Sequence, residues 1–350
     1  MLNVIAQSPI DTTTTIATPG LWAVTLAVVV GLLVMDFVIT HRPHEVGMRE
    51  ALYWTAFYIA LPVAFGVWVW STHGHQIGLQ YYTGYIVEKS LSVDNLFVFI
   101  LILGSFSVPR ALQQRVLLFG IAGALVLRGI FIALGATLLS AFDWMFLVFG
   151  LVLVATAVKV LRDTITGADQ VNVDELRVVR LARRIWPVTD DYRGTHMTVR
   201  EQGRRMITPL ALVVIAILGT DVVFAVDSVP AVYGITGDPY LVFATNAFAL
   251  LGLRALYFVL AGALDKLTHL GYGLAVILAF IGVKLGLHWA HTVWEGVPTV
   301  PTIASLLVIV GILTTVTVTS LAADRRRTAR LIEVEDDATV KERGENLPKP

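Results

Sequence analysis

Residues 88–95 read EKSLSVDN and residues 221–228 read DVVFAVDS, and both stretches lie inside long apolar segments. Each stretch contains two acids six positions apart, with Val before the second acid and a small amide or hydroxyl residue after it. The residues concerned are Glu88, Asp94 and Asn95, and Asp221, Asp227 and Ser228. An acid at the centre of a membrane-spanning helix costs roughly 2.5–3.5 kcal/mol on insertion scales. Four such acids therefore indicate a functional site.

Further charged residues follow the two stretches at matching positions. Leu127-Arg128-Gly129 corresponds to Leu253-Arg254-Ala255, and Val158-Lys159 corresponds to Val283-Lys284. Acids, Arg and Lys thus recur in the same order in three successive apolar segments, numbered 3–5 and 6–8 along the chain. Spans 3 and 6 cross the membrane in opposite directions, which predicts an inverted-topology repeat. Secondary transporters built in this way bind their substrate where the two repeats meet.

The composition predicts an all-α polytopic membrane protein. Apolar residues make up 56% of the 350 residues and charged residues only 15%, against about 25% charged residues in an ordinary soluble domain. Segments of about 20 apolar residues are long enough to cross a bilayer as helices. Nine such spans are predicted, at roughly 21–40, 51–70, 83–104, 116–139, 142–162, 207–233, 240–262, 268–287 and 299–321.

Lys and Arg residues predict the orientation of these spans. They lie in the connections after spans 1, 3, 5, 7 and 9, and the alternate connections contain none. By the positive-inside rule, the N-terminus is outside and the C-terminus is cytoplasmic. The predicted regions are an outside segment 1–20, a transporter domain 21–321 with a cytoplasmic loop 163–206, and a charged tail 322–350. We expect an amphipathic helix at Val173–Ile185 and disorder in the tail.

The intramembrane acids predict a metal path. Four carboxylates with the Asn95 amide and the Ser228 hydroxyl form a hard, oxygen-rich ligand set, and the chain contains no cysteine. Such ligands suit Mn²⁺, Ca²⁺ or Mg²⁺. Asp36 in span 1 adds a fifth acid. Residues seven apart share a helix face, whereas residues six apart lie about 120° apart, so both acids of a pair reach one site only if the helix breaks, for instance at Gly219 or Pro230.

Four bases are the predicted charge partners of these acids: Arg128, Arg254, Lys159 and Lys284. With the four acids of the two stretches they sum to zero charge, so the bundle can hold all eight as mutual partners. One interpretation is that a metal ion or protons displace these bases from the carboxylates. The alternative is that the charges are structural ion pairs between helices. The two lysines lie near helix ends, where extension of the side chain to the interface is a further explanation.

Four segments carry a resemblance to the TerC/Alx family. The segments are Tyr85–Phe99, Gly219–Pro230, Met35–Phe37 and Arg128–Phe131, and the resemblance extends over roughly residues 21–321. The family is named for tellurite resistance, and several members are understood as Mn²⁺ exporters of the bacterial plasma membrane, within the LysE-type transporter superfamily. The resemblance implies a metal path formed by Glu88, Asp94, Asn95, Asp221 and Asp227, with Asp36 contributing. The choice of manganese comes from the resemblance alone.

The sequence therefore favours a divalent-cation exporter of the plasma membrane that works by alternating access. The alternative is a membrane scaffold of a tellurite- or stress-resistance complex that uses loop 163–206 as its docking surface. We expect no enzyme activity, because no Ser/His dyad, metalloprotease helix motif or nucleotide-binding loop occurs. No catalytic or cofactor-binding residue is predicted. The expected partners are the metal ion and the lipid bilayer; zero net charge gives no indication of nucleic acid, and protein partners are not identified.

Overall fold

The fold is a bundle of long helices with one small hairpin. The structure is a computed structural model that describes residues 15–40, 46–166, 177–201, 204–260, 269–294 and 296–345. Its elements are α1 Pro19–Ile39, α2 Met48–His73, α3 His75–Ser105, α4 Arg110–Ala141, α5 Met145–Thr166, α6 Arg177–Ile185, β1 Thr198–Glu201, β2 Arg204–Ile207, α7 Pro209–Tyr233, α8 Pro239–Leu251, α9 Leu253–Leu260, α10 Leu270–Val293 and α11 Thr302–Glu345.

Membrane spans account for most of these helices. Within the described residues, eight helical segments are long and apolar enough to cross a membrane, and α8 and α9 together form one of them, over Pro239–Val259. The all-α polytopic prediction is confirmed. Nine spans were predicted, and the difference is α3, which is 31 residues long but is not one of the eight. This helix carries Glu88, Lys89 and Asp94.

Local sequence explains where several helices begin. The hydroxyl of Thr18 accepts from the Leu21 N–H at 3.2 Å, and a proline follows at the first helical position of α1. Thr208 caps α7 in the same way, and the Asp238 carboxylate accepts from the Tyr240 N–H at 2.9 Å to cap α8. Proline at this position removes an N–H that would have no partner inside the helix. These caps fix the positions of the three helices.

The predicted helix breaks are wrong in position. We expected a break at Gly219 or Pro230, but α7 is continuous over both residues, and α3 is continuous as well. Pro230 is accommodated near the end of α7, where few backbone bonds remain to be lost. The observed break separates α8 from α9 at Gly252, two residues before Arg254. A Cβ on Gly252 would lie 3.1 Å from the Nζ of Lys89 and 3.1 Å from the Cβ of Tyr58, so both side chains pack closely against this glycine.

The loop after α5 contains a helix and a hairpin. The predicted amphipathic helix is present as α6, Arg177–Ile185, and the predicted residues 173–176 lie outside the described residues. The hairpin of β1 and β2 is antiparallel, with Thr198 opposite Ile207, and was not predicted. Tyr192 donates to the carbonyl of Phe106 at 2.8 Å. The loop is thereby tied to the end of α3.

The tail differs from the prediction. Helix α11 continues to Glu345, whereas the charged tail was predicted to be mobile from Asp324 onward. Residues 322–345 are rich in Ala, Arg and Glu, which have high helix propensity. The tail can therefore extend the helix that leaves the membrane.

Helices α5 and α10 pack at close range through glycine. A Cβ on Gly150 of α5 would lie 2.7 Å from the carbonyl oxygen of Gly282, and a Cβ on Gly282 would lie 2.8 Å from the carbonyl oxygen of Gly150. Small residues of this kind let helix backbones approach in a membrane. Outward-facing side chains such as Leu151 and Val283 are exposed, as expected for surfaces that face lipid.

Candidate functional site

Arg128 is the centre of a buried polar cluster between α3, α4 and α7. Its side chain is 1% exposed. The guanidinium Nη1 donates to Oε1 of Glu88, and Nη2 donates to Oδ1 of Asp221 at 3.0 Å. Nε also faces the Asp221 carboxylate, at 3.3 and 3.4 Å from its two oxygens. The cluster therefore joins one acid from each of the two sequence stretches to a single arginine.

Asn95 completes the contacts of this arginine. With its amide oxygen turned toward the guanidinium, Asn95 accepts from Nη2 of Arg128 at 2.9 Å, and its nitrogen donates to the carbonyl of Leu91 at 3.1 Å. Asn95 is buried on the same face of α3 as Glu88, because residues seven apart differ by only about 20° around a helix. The i, i+7 spacing noted in the sequence thus places an acid and an amide on one arginine.

The register between α3 and α7 explains how the two stretches meet. A Cβ on Gly84 of α3 would lie 3.3 Å from the side chain of Val232 of α7, and Asn95 and Asp221 share Arg128. Both contacts fit antiparallel helices in which Glu88 lies level with Ser228. Arg128 therefore joins the acid of one stretch, Asp221, to the amide of the other, Asn95.

Not every buried polar group of these helices is paired. Two acids share one arginine, which leaves one negative charge when all three groups are ionised. Several buried polar atoms make no hydrogen bond among the described residues: Oε2 of Glu88, the hydroxyls of Ser92 and Ser228, and both polar atoms of the Asn246 side chain. Buried polar groups are normally paired, and a cation with oxygen ligands would satisfy the oxygen atoms of this set.

Two of these residues were missed by the sequence analysis. Ser92 lies one turn after Glu88, on the same helix face, and this spacing was available in the sequence. Asn246 is the amide within the otherwise apolar helix α8. Its side chain is 1% exposed and faces the Glu88 carboxylate. Nothing in the repeat pattern points to Asn246, because the matching acids, arginines and lysines all lie elsewhere.

Asp36 and Arg254 form a second buried ion pair. Nη2 of Arg254 donates to Oδ1 of Asp36 at 2.8 Å, and Nη1 donates to the hydroxyl of Thr40. Both charged side chains are almost fully buried. Asp36, predicted to contribute to the metal path, thus has a dedicated counter-charge from the second predicted arginine. Arg128 and Arg254 hold equivalent places in the sequence repeat but have different partners.

The other predicted site residues differ in their burial and contacts. Asp227 is partly buried on α7, and the side chain of Asp94 lies outside the described part of the structure. Lys284 is 5% exposed and donates to the hydroxyl of Ser305 at 3.0 Å, whereas Lys159 is exposed. The two lysines, like the two arginines, occupy different environments. The inverted repeat stays a prediction.

The geometry limits what the described residues can bind as they stand. Among them, no group of three or more Asp, Glu, His or Cys side chains is placed to hold a metal ion. Arg128 occupies the position between the two nearest carboxylates, so an entering cation must compete with its guanidinium. In this arrangement the acids are held by an internal positive charge.

Comparison with known proteins places the chain among membrane proteins. Residues 73–328 match the family described as integral membrane protein TerC family. An uncharacterized membrane protein of Myxococcus xanthus is 42% identical over 79% of this chain and 86% of its own length. An uncharacterized membrane protein of Mycobacterium tuberculosis is 45% identical over 77% of this chain and 68% of its own length. The putative membrane-bound redox modulator Alx of Escherichia coli is 41% identical over 77% and 87%. No solved structure matches the chain significantly.

Proposed function

Because the chain belongs to the TerC family of integral membrane proteins, we propose that it exports a divalent metal cation across the plasma membrane by alternating access. Mn²⁺ is the proposed cation, with Ca²⁺ and Mg²⁺ as the alternatives. The preference for Mn²⁺ rests on the family resemblance, whereas the choice of a hard divalent cation rests on the oxygen ligands. The proposed orientation has the N-terminus outside and the C-terminus in the cytoplasm.

The observation that carries this proposal is the buried cluster of Glu88, Asp221 and Arg128. Its two carboxylates share one guanidinium, and Oε2 of Glu88 makes no hydrogen bond among the described atoms. A purely structural pair would not need the second acid or the unpaired oxygen. Carboxylate, amide and hydroxyl oxygens are the ligands that Mn²⁺, Mg²⁺ and Ca²⁺ prefer.

The proposed mechanism is an exchange of positive charges on the carboxylates. When no metal ion is bound, Arg128 holds Glu88 and Asp221 together and neutralises one of them. A cation that enters from the cytoplasm replaces the guanidinium on some of these oxygens and also meets the remaining negative charge. Rocking of spans 3–5 against spans 6–8 then opens the site to the outside. Asp94 and Asp227 extend the path along the same two helices.

Scaffolding remains the second candidate function, because the loop after α5 offers a docking surface. Arg184, Leu181 and Ile185 of α6 are exposed, which is typical of a surface that contacts a partner or a lipid headgroup. Some relatives are called redox modulators, but this chain contains no cysteine. Thiol–disulfide exchange by its own side chains is therefore excluded.

The test is the metal content of cells under Mn²⁺ load. Cells that carry the protein should accumulate less Mn²⁺ than cells without it, and Glu88→Gln and Asp227→Asn should abolish the difference while the protein still inserts. Glu201→Gln is the matched control, because Glu201 is 41% exposed and pairs with Arg193 on the surface. If both intramembrane variants export normally, and the phenotype is lost only on deletion of residues 163–206, the scaffold is correct.

A further inference from the structure

Asn246 is a buried amide that makes no close hydrogen bond and interacts with the carboxylate of Glu88. It is 1% exposed, and neither its oxygen nor its nitrogen makes a hydrogen bond among the described residues. An amide removed from water without a partner costs free energy, whereas an apolar side chain of the same shape would not. The amide of Asn246 is therefore not explained by packing alone.

The position of Asn246 connects it to the Arg128 cluster. Its side chain faces the Glu88 carboxylate, and helix α8 packs against both α3 and α4. Thr245 precedes Asn246 and lies close to α3. A Cβ on Gly84 of α3 would lie 3.4 Å from the methyl group of Thr245. Asn246 therefore lies beside the carboxylate of Glu88, one oxygen of which makes no hydrogen bond among the described residues.

The chemistry of an amide differs from that of a third acid in one respect that matters for transport. An amide oxygen is a hard ligand for divalent cations, but it adds no negative charge. The number of charged ligands tunes how tightly such a site holds its cation. A neutral ligand beside Glu88 thus allows binding of a cation that must later leave.

We propose that Asn246 supplies a neutral oxygen ligand to the transported cation and helps to set which divalent cation the site accepts. This inference rests on the proposed function and names a residue that neither the acid motifs nor the arginines identify. Asn246 acts together with the carboxylate of Glu88, whose Oε1 accepts from Arg128.

The experiment uses the full chain purified in detergent and measures Mn²⁺ binding by the loss of the free Mn²⁺ signal in electron paramagnetic resonance. Asn246→Leu should weaken Mn²⁺ binding about 10- to 100-fold, as loss of a group that tunes a metal site does. Its melting temperature should stay the same or rise, because no hydrogen bond is lost. Asn246→Asp keeps an oxygen at the same distance, so it should retain Mn²⁺ binding and shift the competition by Mg²⁺. Thr245→Val, at the adjacent buried position, is the matched control.

The outcomes separate this inference from the proposed function. If the unaltered protein binds Mn²⁺, Glu88→Gln does not, and Asn246→Leu binds as tightly as the unaltered protein, the inference is wrong and the proposed function stands. If the unaltered protein does not bind or transport Mn²⁺, Ca²⁺ or Mg²⁺, both are overturned. If Asn246→Leu does not fold, Asn246→Asp decides, and an unchanged competition between Mn²⁺ and Mg²⁺ refutes the role of Asn246.

Discussion

Replacement of Arg128 by methionine is the most informative single change to this protein. Methionine keeps much of the length and the apolar stem of arginine but removes the positive charge. The carboxylates of Glu88 and Asp221 then lose the guanidinium they share, and Asn95 loses its donor. All of these side chains are buried, so water cannot replace the lost contacts.

The expected loss of stability follows from the number of stranded groups. Removal of one partner from a buried ion pair costs about 3–5 kcal/mol, because it leaves an uncompensated charge. Arg128 serves two acids, so we expect Arg128→Met to lie at the upper end of this range. Arg254→Met strands only Asp36 and should lie at the lower end. Arg128→Lys keeps the charge but loses the forked geometry that contacts both acids at once, and should fall between Arg128→Met and the unaltered protein.

The assay is reversible unfolding of the purified protein in mixed detergent micelles, followed by the loss of helical circular dichroism. Arg193→Met is the control, since Arg193 is 50% exposed and pairs with Glu201 at 2.8 Å on the surface. Exposed pairs of this kind contribute about 0–1 kcal/mol. Adding Glu88→Gln to Arg128→Met should recover part of the loss, because one stranded charge is then removed.

A loss for Arg128→Met no larger than that for Arg193→Met would refute the reasoning. Such a result would mean that the acids of the cluster are already neutral in the folded protein. A fully stable Arg128→Met variant that has lost transport would instead assign Arg128 a direct role in transport and no part in holding the bundle together.

The remaining predictions concern orientation and the lysines. We expect a tag on the C-terminus to be accessible only from the cytoplasm and a label within residues 71–82 to be accessible only from outside, because of the distribution of Lys and Arg. A C-terminal tag accessible only from outside would contradict the predicted orientation. Lys284→Met should alter the pH dependence of metal flux, because Lys284 is buried and hydrogen-bonded to Ser305. Lys159→Met should leave the pH dependence unchanged, because Lys159 is exposed. Equal effects of the two substitutions would contradict this expectation and support the equivalent roles that the repeat predicts for the two lysines.

The sequence predicted that intramembrane acids and arginines would be charge partners, and the structure contains two such groups, Arg128 with Glu88 and Asp221, and Arg254 with Asp36. A charged side chain inside a membrane must find a partner. Acids and arginines in neighbouring apolar segments are therefore expected to pair with one another. The i, i+7 spacing also placed Glu88 and Asn95 on one face of α3. These predictions depend on local helix geometry and on the cost of burying charge, and both can be read from one chain.

Features that depend on contacts between distant elements could not be predicted in the same way. The break between α8 and α9 lies at Gly252, where the side chains of Lys89 and Tyr58 pack close to the glycine. The repeat pattern did not predict this break. The partner of Arg254 lies in α1, outside the repeat, so a symmetry argument assigns it wrongly to the repeated acids. The same argument misses Asn246, whose importance comes only from its position beside Glu88.

The polarity of α3 constrains how this chain is assembled during synthesis. Charges within a helix oppose its partition from the insertion machinery into lipid, and α3 carries three of them in its central part. Arg128 emerges from the ribosome soon afterwards, but Asp221 and Asn246 follow only with α7 and α8. We therefore expect α3 to remain beside the translocon until the second half of the chain has been made. Nascent chains that end before α7 should be extracted and degraded, whereas those that extend past α8 should be retained in the membrane.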